Sequence, residues 1–293
     1  MTGKVILPEW GKRTYIMGII NITPDSFSGD GLLQGEDPVA DALKQAQAFV
    51  AAGADILDIG AESTRPGAQA VSVEVETSRL VPVIQCLAEN LPDTWLSVDT
   101  YKSETARAAI AAGADWINDI WGLQADPAIA NLAAHTGAPL ILMHNRSRPS
   151  DVSLQKRLGG RYTNVEYKNL LEDVKDGLMQ SVILAMRAGV KTDRIILDPG
   201  IGFGKTREQN LELLNRLDEI CVLGYPVLLG PSRKSFIGYT LNLPPDQRVE
   251  GTAAAIAVGI ARGADIIRVH DVEYMVRVAR MTDAIVRPLP FHG

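Results

Sequence analysis

The chain has 293 residues, enough for one large domain or two small ones, and 46% of them are hydrophobic and 22% charged, which is typical of a globular protein and excludes a disordered or fibrous one. Its 29 Lys and Arg residues against 35 Asp and Glu give a net charge of −6, which argues against a surface that binds nucleic acid through bulk electrostatics. The cysteines, Cys86 and Cys221, lack metal or CxxC spacing, and the sequence shows neither a signal-peptide run nor an apolar run of membrane length, so we expect a cytoplasmic protein.

Eight short apolar runs recur along the chain and predict eight strands, with a helical pattern between each pair. The runs cover residues 14–21, 54–60, 94–100, 116–120, 138–144, 194–200, 225–231 and 266–271. Three helix-to-strand junctions repeat one pattern, AAGADILDIG, AAGADWINDI and ARGADIIRVHD, in which Gly ends the helix. We therefore expect an α/β protein, a single (β/α)8 TIM barrel domain over residues 1–293, with a doubly wound open sheet as the alternative.

A polar side chain stands at the end of nearly every predicted strand. These residues are Asn21, Asp58, Asp99, Asn118, His144, Asp198, Arg268 and His270. Because the strand ends of a barrel converge on the face that carries the active site, this pattern favours the barrel over the open sheet. Long loops are predicted after strands 1, 2 and 5, the last over 145–165, and such loops are candidate lids.

Four acids and amides, Asp99, Asn118, Asp119 and Asp198, end apolar strands. A carboxylate in such a place needs a partner. Each Asp can cap the following helix, and we expect one or two of the four residues to do only that. The others would suit a ligand with adjacent N–H donors, because one carboxylate accepts two such hydrogen bonds.

The segment DPGIGFGKT, residues 198–206, invites two nucleotide-binding interpretations, and both fail on spacing. A P-loop needs Gly where Pro199 stands, and a dinucleotide fingerprint needs Gly where Lys205 stands. The segment is consistent with a turn that caps the next helix, and also with a loop whose glycines let the backbone approach a flat ligand.

Two pairs of basic residues stand near the ends of the last two predicted strands. Arg233 and Lys234 stand in GPSRKSFIG where a helix would begin, and Arg268 and His270 are two apart in a strand, so both would face the barrel lumen. Each pair is either a solvated or structural group or part of a site for phosphate or carboxylate, and their place at strand ends favours the site.

Three common kinds of catalytic or metal motif do not occur in the sequence: G-x-S-x-G, H-E-x-x-H and a Cys/His cluster. Covalent serine catalysis and a structural zinc are therefore disfavoured. A hard ion such as Mg²⁺ needs few protein oxygens when the substrate brings phosphates, so Asn21 with Asp25 or Asp30 would suffice.

Taken together, the motifs resemble one family, the dihydropteroate synthases, the folate-pathway enzymes that sulfonamides target. The resemblance covers almost the whole chain: MGIINITPDSFSGDG, DIGAESTRPGA, SVDTYK, GADWINDIWG, LILMH, DPGIGFGKT, SRKSFIG and RVHD, in that order. It implies condensation of (7,8-dihydropterin-6-yl)methyl diphosphate with 4-aminobenzoate to give 7,8-dihydropteroate and pyrophosphate. It further implies Mg²⁺ as cofactor and a homodimer, for which the Ala-rich and apolar helical segments 251–262 and 272–286 leave room.

The same resemblance implies roles for individual residues. Asp99, Lys234 and Arg268 would be catalytic. The pterin would be bound by Asp99, Asn118, Asp198, Lys234 and Arg268, and the diphosphate with Mg²⁺ by Asn21, Thr64, Arg65 and His270. Asn21 would be the metal ligand, and Phe203 and Ser235 would hold 4-aminobenzoate.

Two segments depart from the family pattern. The first loop reads SFSGDG where the family has Asp directly after the second Ser, and the run after LMH differs, so no role is carried over to Asn145 or Arg146. Two other functions stay open. A methyltransferase domain of the same barrel type, passing a methyl group from methyltetrahydrofolate to a corrinoid protein, would need the pterin pocket alone, and a non-catalytic pterin-binding module would keep the pocket floor with broken loops.

Overall fold

The computed structural model describes residues 7–23, 37–63, 70–163 and 165–287. The strands in this part of the chain are β1 (Tyr15–Asn21), β2 (Ile56–Gly60), β3 (Trp95–Asp99), β4 (Trp116–Asp119), β5 (Leu140–Met143), β6 (Val152–Gln155), β7 (Gly159–Tyr162), β8 (Ile195–Asp198), β9 (Leu228–Leu229) and β10 (Ile266–Val269). All but β6 and β7 fall within the eight predicted runs.

The helices alternate with these strands as the sequence predicts. They are α1 (Pro38–Ala52), α2 (Val73–Asn90), α3 (Ser103–Ala112), α4 (Ala128–Thr136), α5 (Leu170–Arg187), α6 (Arg207–Asn215), α7 (Asp218–Cys221), α8 (Ser235–Leu241), α9 (Val249–Ala261) and α10 (Val272–Val286). Local signals fix several ends: Asp37 accepts hydrogen bonds from the first turn of α1, and Gly53 and Gly113 end α1 and α3 in the left-handed conformation. No helix within the described ranges is long and apolar enough to cross a membrane.

The eight strands β8-β5-β4-β3-β2-β1-β10-β9 form one parallel sheet in that order. The two edges, β8 and β9, meet through a parallel bridge between Leu197 and Val227, where the Leu197 N–H donates to the Pro226 carbonyl at 2.9 Å. The sheet is therefore a (β/α)8 barrel, which confirms the predicted fold and excludes the open sheet.

The barrel has an apolar lower lumen and a polar upper layer. Tyr15, Met17, Ile56, Trp116, Ile141, Ile196, Leu228 and Ile266 make one buried cluster of their own, separate from the large cluster under the helices. Side chains two residues apart in a strand face the same side. Asp58, Asn118, Asp198 and Arg268 each stand two positions after a member of this lumen cluster, so they form the layer above it, toward the carboxyl ends of the strands.

The long connection predicted over 145–165 contains a hairpin that the sequence did not predict. Within them β6 and β7 pair as an antiparallel hairpin, from Val152 opposite Tyr162 to Gln155 opposite Gly159. The sequence did not predict this hairpin because its two strands are short and mostly polar, so they carry no apolar strand signal. The hairpin packs on α8, where the Tyr239 hydroxyl donates to the Gly159 carbonyl at 3.1 Å.

Candidate active site

The upper layer of the lumen is organised by Arg268 on β10. Its Nε donates to Asp58 Oδ2 at 2.5 Å and its Nη2 donates to Asp99 Oδ2 at 2.6 Å. Asn118 also donates to Asp58 Oδ2, at 3.0 Å. Asp58 and Asn118 are buried, with 0% and 3% of their surface exposed. Three of the predicted site residues, Asp99, Asn118 and Arg268, therefore meet in one network, and Asp58 joins them.

The surroundings of Asp99 in this network move its pKa towards neutral pH. Burial raises the pKa of Asp99 to about 7, although the Arg268 guanidinium opposes the rise and the Asp58 carboxylate adds to it. Burial also opposes the charge of Arg268, but Asp58 and Asp99 outweigh it and raise the Arg268 pKa. The Arg268 guanidinium therefore stays charged. The protonation state of Asp99, in contrast, depends on the charge of the ligand that binds beside it.

Asp198 ends β8 and is fixed by the turn that follows it. Its Oδ1 accepts a hydrogen bond from the Gly200 N–H at 2.7 Å, and only 6% of the residue is exposed. Burial raises its pKa, against the attraction of Lys234. The carboxylate is thus held rigidly in the upper layer of the lumen, as the sequence predicts.

Lys234 lies across the same turn. Its stem packs on Gly202, which has a φ of +83°, and a Cβ added there would lie 2.6 Å from Lys234 Cδ. The Lys234 ammonium group donates to the Ile201 carbonyl and lies 4.4 Å from the centroid of the Phe203 ring. Burial lowers its pKa to about 8. Only glycine allows this close contact between a lysine stem and the turn, so the glycines of DPGIGFG place Lys234 and Phe203 together.

The two adjacent cations predicted for an anion site have different roles. Arg233, with a φ of +56°, turns away and forms an ion pair with Asp271 through two hydrogen bonds of 2.9 and 2.5 Å. Lys234 faces the turn after β8. Ser235 follows as the half-buried first residue of α8. Lys234 and Ser235 remain candidates for the site, while Arg233 fixes the loop that carries them.

The other predicted site residues lie at the rim or beyond the described chain. His270 follows β10 and is half-buried, with its Nδ1 2.9 Å from the Ser232 hydroxyl. Asn21 ends β1 opposite Gly60 of β2 and is also half-buried. Thr64 and Arg65, and the acids Asp25 and Asp30, lie outside the described residues.

One of the four strand-end acids and amides has only a structural role. Asp119 accepts hydrogen bonds from the Trp121 and Leu123 N–H groups, at 2.8 and 2.7 Å. It therefore caps the turn after β4, in the way expected for one or two of the four. Its neighbour in the chain, Asn118, faces the lumen.

Sequence reasoning gave no site role to Asp58, although it recognised the residue as a polar strand end. A signal existed: Asp58 stands two positions after Ile56, so it shares the inward face of β2 in an otherwise apolar strand. What the sequence lacked was the partner, because Arg268 lies 210 positions away.

The assembled site combines two kinds of group. Asp99, Asn118 and Asp198 offer oxygen acceptors in a buried layer, which suits the N–H edge of a flat heterocycle. Lys234 and Arg268 bring positive charge to the same layer, and His270 lies at its rim. Such a site can bind a polar ring in its depth and an anionic group at its mouth.

Comparisons with known proteins identify the family of the chain. A family model described as pterin binding enzyme matches residues 17–270. The chain is 51% identical over 278 residues to a dihydropteroate synthase of Clostridium beijerinckii, which covers 94% of this chain and 96% of the relative. A crystal structure of a dihydropteroate synthase from Clostridium difficile in the presence of pteroic acid is 45% identical, has a TM-score of 0.85, and matches 96% of this chain and 100% of that one. A dihydropteroate synthase of Xanthomonas albilineans with 4-aminobenzoic acid is 40% identical, with a TM-score of 0.83 over 95% of this chain and 94% of that chain.

Proposed function

We propose a reaction for this chain from the family to which it belongs, the dihydropteroate synthases among the pterin-binding enzymes. It joins (7,8-dihydropterin-6-yl)methyl diphosphate to 4-aminobenzoate and releases 7,8-dihydropteroate and pyrophosphate, as a transferase of folate biosynthesis. The observation that carries the proposal is the buried layer in which Arg268 joins Asp58 and Asp99, with Asn118 and Asp198 beside them.

The acceptors of the upper layer suit the pterin. A pterin presents an amino group and ring N–H groups along one edge, and a carboxylate accepts two such hydrogen bonds side by side. Asp198, fixed by the Gly200 N–H, is the residue we assign to that edge. Asn118 and Asp99 complete the pocket, and Lys234 and Arg268 contact the ring from the side of the turn and of β10.

The site is also suited to breaking the carbon–oxygen bond that joins the pterin methylene group to the diphosphate. When the carbon–oxygen bond to the diphosphate breaks, its electron pair leaves with the oxygen and positive charge spreads from the methylene carbon over the pterin. Fixed carboxylates at Asp99 and Asp198 stabilise that charge as it develops, and they do so more strongly because Asp198 is buried and Asp99 is half-buried. The lone pair of the 4-aminobenzoate amine then forms the carbon–nitrogen bond, and the amine proton is lost to solvent. The amine is nucleophilic without a strong base.

The 4-aminobenzoate subsite is proposed between the turn after β8 and the start of α8. Phe203 offers a ring for stacking and Lys234 lies 4.4 Å from it, while Ser235 supplies a hydroxyl at the first residue of α8. An aromatic acid fits this combination, because its ring is apolar and its carboxylate needs a donor.

We also propose that Mg²⁺ binds together with the diphosphate. Asn21 ends β1 at the barrel mouth and provides one carboxamide oxygen, and within the described residues no group of three His, Cys, Asp or Glu side chains is placed to hold a metal. A site in which the protein provides one amide oxygen suits an ion that takes most of its ligands from phosphate and water, as Mg²⁺ does. When bound, the ion would neutralise charge on the leaving pyrophosphate, next to His270 and, from outside the described residues, Thr64 and Arg65.

A homodimer in the cytoplasm is the assembly and location we propose. Four apolar side chains on the outer helices support the dimer, since they are 42 to 65% exposed: Val258, Tyr274, Met281 and Ile285. Both cysteines, Cys86 and Cys221, are free thiols, which suits a reducing compartment. Sedimentation equilibrium at micromolar concentration tests the dimer, and a monomer there would overturn it.

Turnover tests the proposed reaction. The purified chain is incubated with the dihydropterin diphosphate, labelled 4-aminobenzoate and Mg²⁺, with EDTA in a parallel sample, and labelled dihydropteroate is followed. Metal-dependent product is expected. Absence of product despite calorimetric binding of the pterin would overturn the reaction and favour a binding module, whereas equal product with EDTA would overturn the role of Mg²⁺ alone.

A further inference from the structure

Lys205, the lysine of the segment that resembles a P-loop, is turned into the protein. Only 1% of its surface is exposed. Its Nζ lies 2.9 Å from the Gly200 carbonyl, 3.0 Å from the Phe203 carbonyl and 3.1 Å from His144 Nδ1. Lysine is almost never fully buried unless it is paired, and among the described residues no carboxylate lies within 4.0 Å of this one. The contacts of Lys205 are therefore with its own turn and with the end of β5.

The two carbonyls that Lys205 holds flank the part of the turn that shapes the site. Between them, the Ile201 carbonyl accepts the hydrogen bond from Lys234. Next to them, the Gly200 N–H binds Asp198, and the Phe203 ring faces Lys234. All three site residues attached to this turn thus depend on a backbone segment that Lys205 braces from behind.

His144 makes the third contact with the Lys205 Nζ. When Lys205 is protonated, its ammonium group donates to His144 Nδ1, and the ring is then neutral with its hydrogen on Nε2. Burial and the nearby Lys205 lower the His144 pKa to about 2, which keeps the ring neutral. Behind the ring lies α5, where a Cβ added at Gly177 would be 2.6 Å from His144 Cδ2. The ring is therefore clamped between α5 and the turn.

The backbone of the turn packs closely against the end of β5. A Cβ added at Gly200 would lie 1.9 Å from the His144 carbonyl oxygen, so the backbone of the turn rests directly on the end of β5. The His144 N–H also donates to the Asp198 carbonyl at 2.9 Å. Losing the Lys205 donors would leave the Phe203 carbonyl and a His144 ring nitrogen unpaired in a closed space, whereas the Gly200 carbonyl would keep the Phe203 N–H, 3.1 Å away. The turn would shift to pair these two groups.

We propose that Lys205 is a positioning residue that, with His144, fixes the turn after β8 and through it Asp198, Phe203 and Lys234, without touching either substrate. This inference rests on the proposed reaction, since it assigns the turn to both substrate subsites. It gives the lysine of DPGIGFGKT a function other than phosphate binding.

The test compares Lys205→Met, which keeps the length of the side chain and removes its donors, with Lys44→Met on the exposed face of α1. We measure kcat, the KM for each substrate, and the folded fraction by circular dichroism. Displacing the turn weakens the contacts that Asp198, Phe203 and Lys234 make with both substrates, so KM for the pterin and for 4-aminobenzoate should both rise about tenfold or more, and kcat should fall as well. Lys44→Met should match the parent chain.

A purely structural role would give a different result. Loss of folded protein lowers kcat in proportion and leaves both KM values unchanged, so KM values within twofold of the parent overturn the proposal. Lys205→Gln, which keeps amide donors on a shorter stem, should show intermediate KM values, and it decides the matter if Lys205→Met does not fold. If the parent chain shows no turnover, the proposed reaction fails separately, and the affinity for pteroic acid, measured by calorimetry, replaces KM as the readout.

Discussion

The guanidinium of Arg268 lies 2.5 Å from the Asp58 carboxylate, across the barrel from β10 to β2. Asp58 is wholly buried, and Asn118 donates to the same oxygen at 3.0 Å. Asp58 thus orients Arg268 and Asn118, two residues that we assign to the pterin. The sequence motifs had predicted no role in the site for Asp58.

Replacing Asp58 by Asn should therefore damage both stability and activity. Removing the Asp58 charge leaves Arg268 paired with Asp99 alone, which should cost about 3 kcal/mol, the lower end of the range for a broken buried ion pair. The resulting shift of Arg268 should lower kcat/KM for the pterin by about tenfold or more. Urea unfolding and steady-state kinetics measure the two effects. Glu212→Gln, which breaks an exposed pair with Arg216 on α6, is the control and should change stability by less than about 1 kcal/mol. A stable and fully active Asp58→Asn would contradict the network.

Asp99→Asn separates binding from catalysis. The amide keeps the size of the side chain and an oxygen acceptor but removes the negative charge that faces the developing cation. We expect kcat to fall by about 100-fold or more, with a much smaller change in pterin affinity measured by calorimetry. Asp93→Asn, on the exposed turn before the same strand, should leave both quantities unchanged. Equal losses in kcat and affinity would show that Asp99 only binds the substrate.

The pH profile should report two groups of the upper layer. The proposed reaction needs Asp99 ionised and Lys234 protonated, and burial raises the pKa of Asp99 to about 7 and lowers that of Lys234 to about 8. kcat/KM for the pterin should therefore be highest between these values, falling below pH 7 as Asp99 gains a proton and above pH 8 as Lys234 loses one. Lys234→Arg should remove the alkaline fall, because a guanidinium stays charged. An alkaline fall that survives this substitution would assign it to another group.

Gly202→Ala tests the packing of Lys234. The Cβ would lie 2.6 Å from Lys234 Cδ at a φ of +83°, whereas Gly224 has a similar φ of +81° with open space around the added atom. Both alanine variants should lose about 1 to 2 kcal/mol of unfolding free energy from backbone strain. Only Gly202→Ala should also raise KM for the pterin, by about tenfold. If the two variants have the same kinetics, the contact with Lys234 is unimportant.

The sequence predicted the barrel well because its signals are local. Each strand is a short apolar run, several junctions carry a glycine that ends a helix, and the polar residues at strand ends, among them Asp99, Asn118, Asp198 and Arg268, were expected on one face of the barrel. These features depend on neighbours in the chain, so they can be read without knowledge of tertiary contacts.

The parts that were missed depend on distant partners. Lys205 contacts His144, which lies 61 positions away in the chain. From the sequence alone, a lysine in a polar segment is expected at the surface. Arg233 and Lys234 are adjacent cations, and only the left-handed backbone of Arg233 and its ion pair with Asp271 separate their roles. The β6–β7 hairpin is polar and is held by contacts with α8.

The stoichiometry of the reaction tests the central claim most directly. With the parent chain, Mg²⁺ and the dihydropterin diphosphate, pyrophosphate release is measured together with dihydropteroate, with and without 4-aminobenzoate. We predict one dihydropteroate formed for each pyrophosphate released when both substrates are present. Pterin that binds at the site yet yields no dihydropteroate, with 4-aminobenzoate in excess, would contradict the assignment of this barrel as a dihydropteroate synthase.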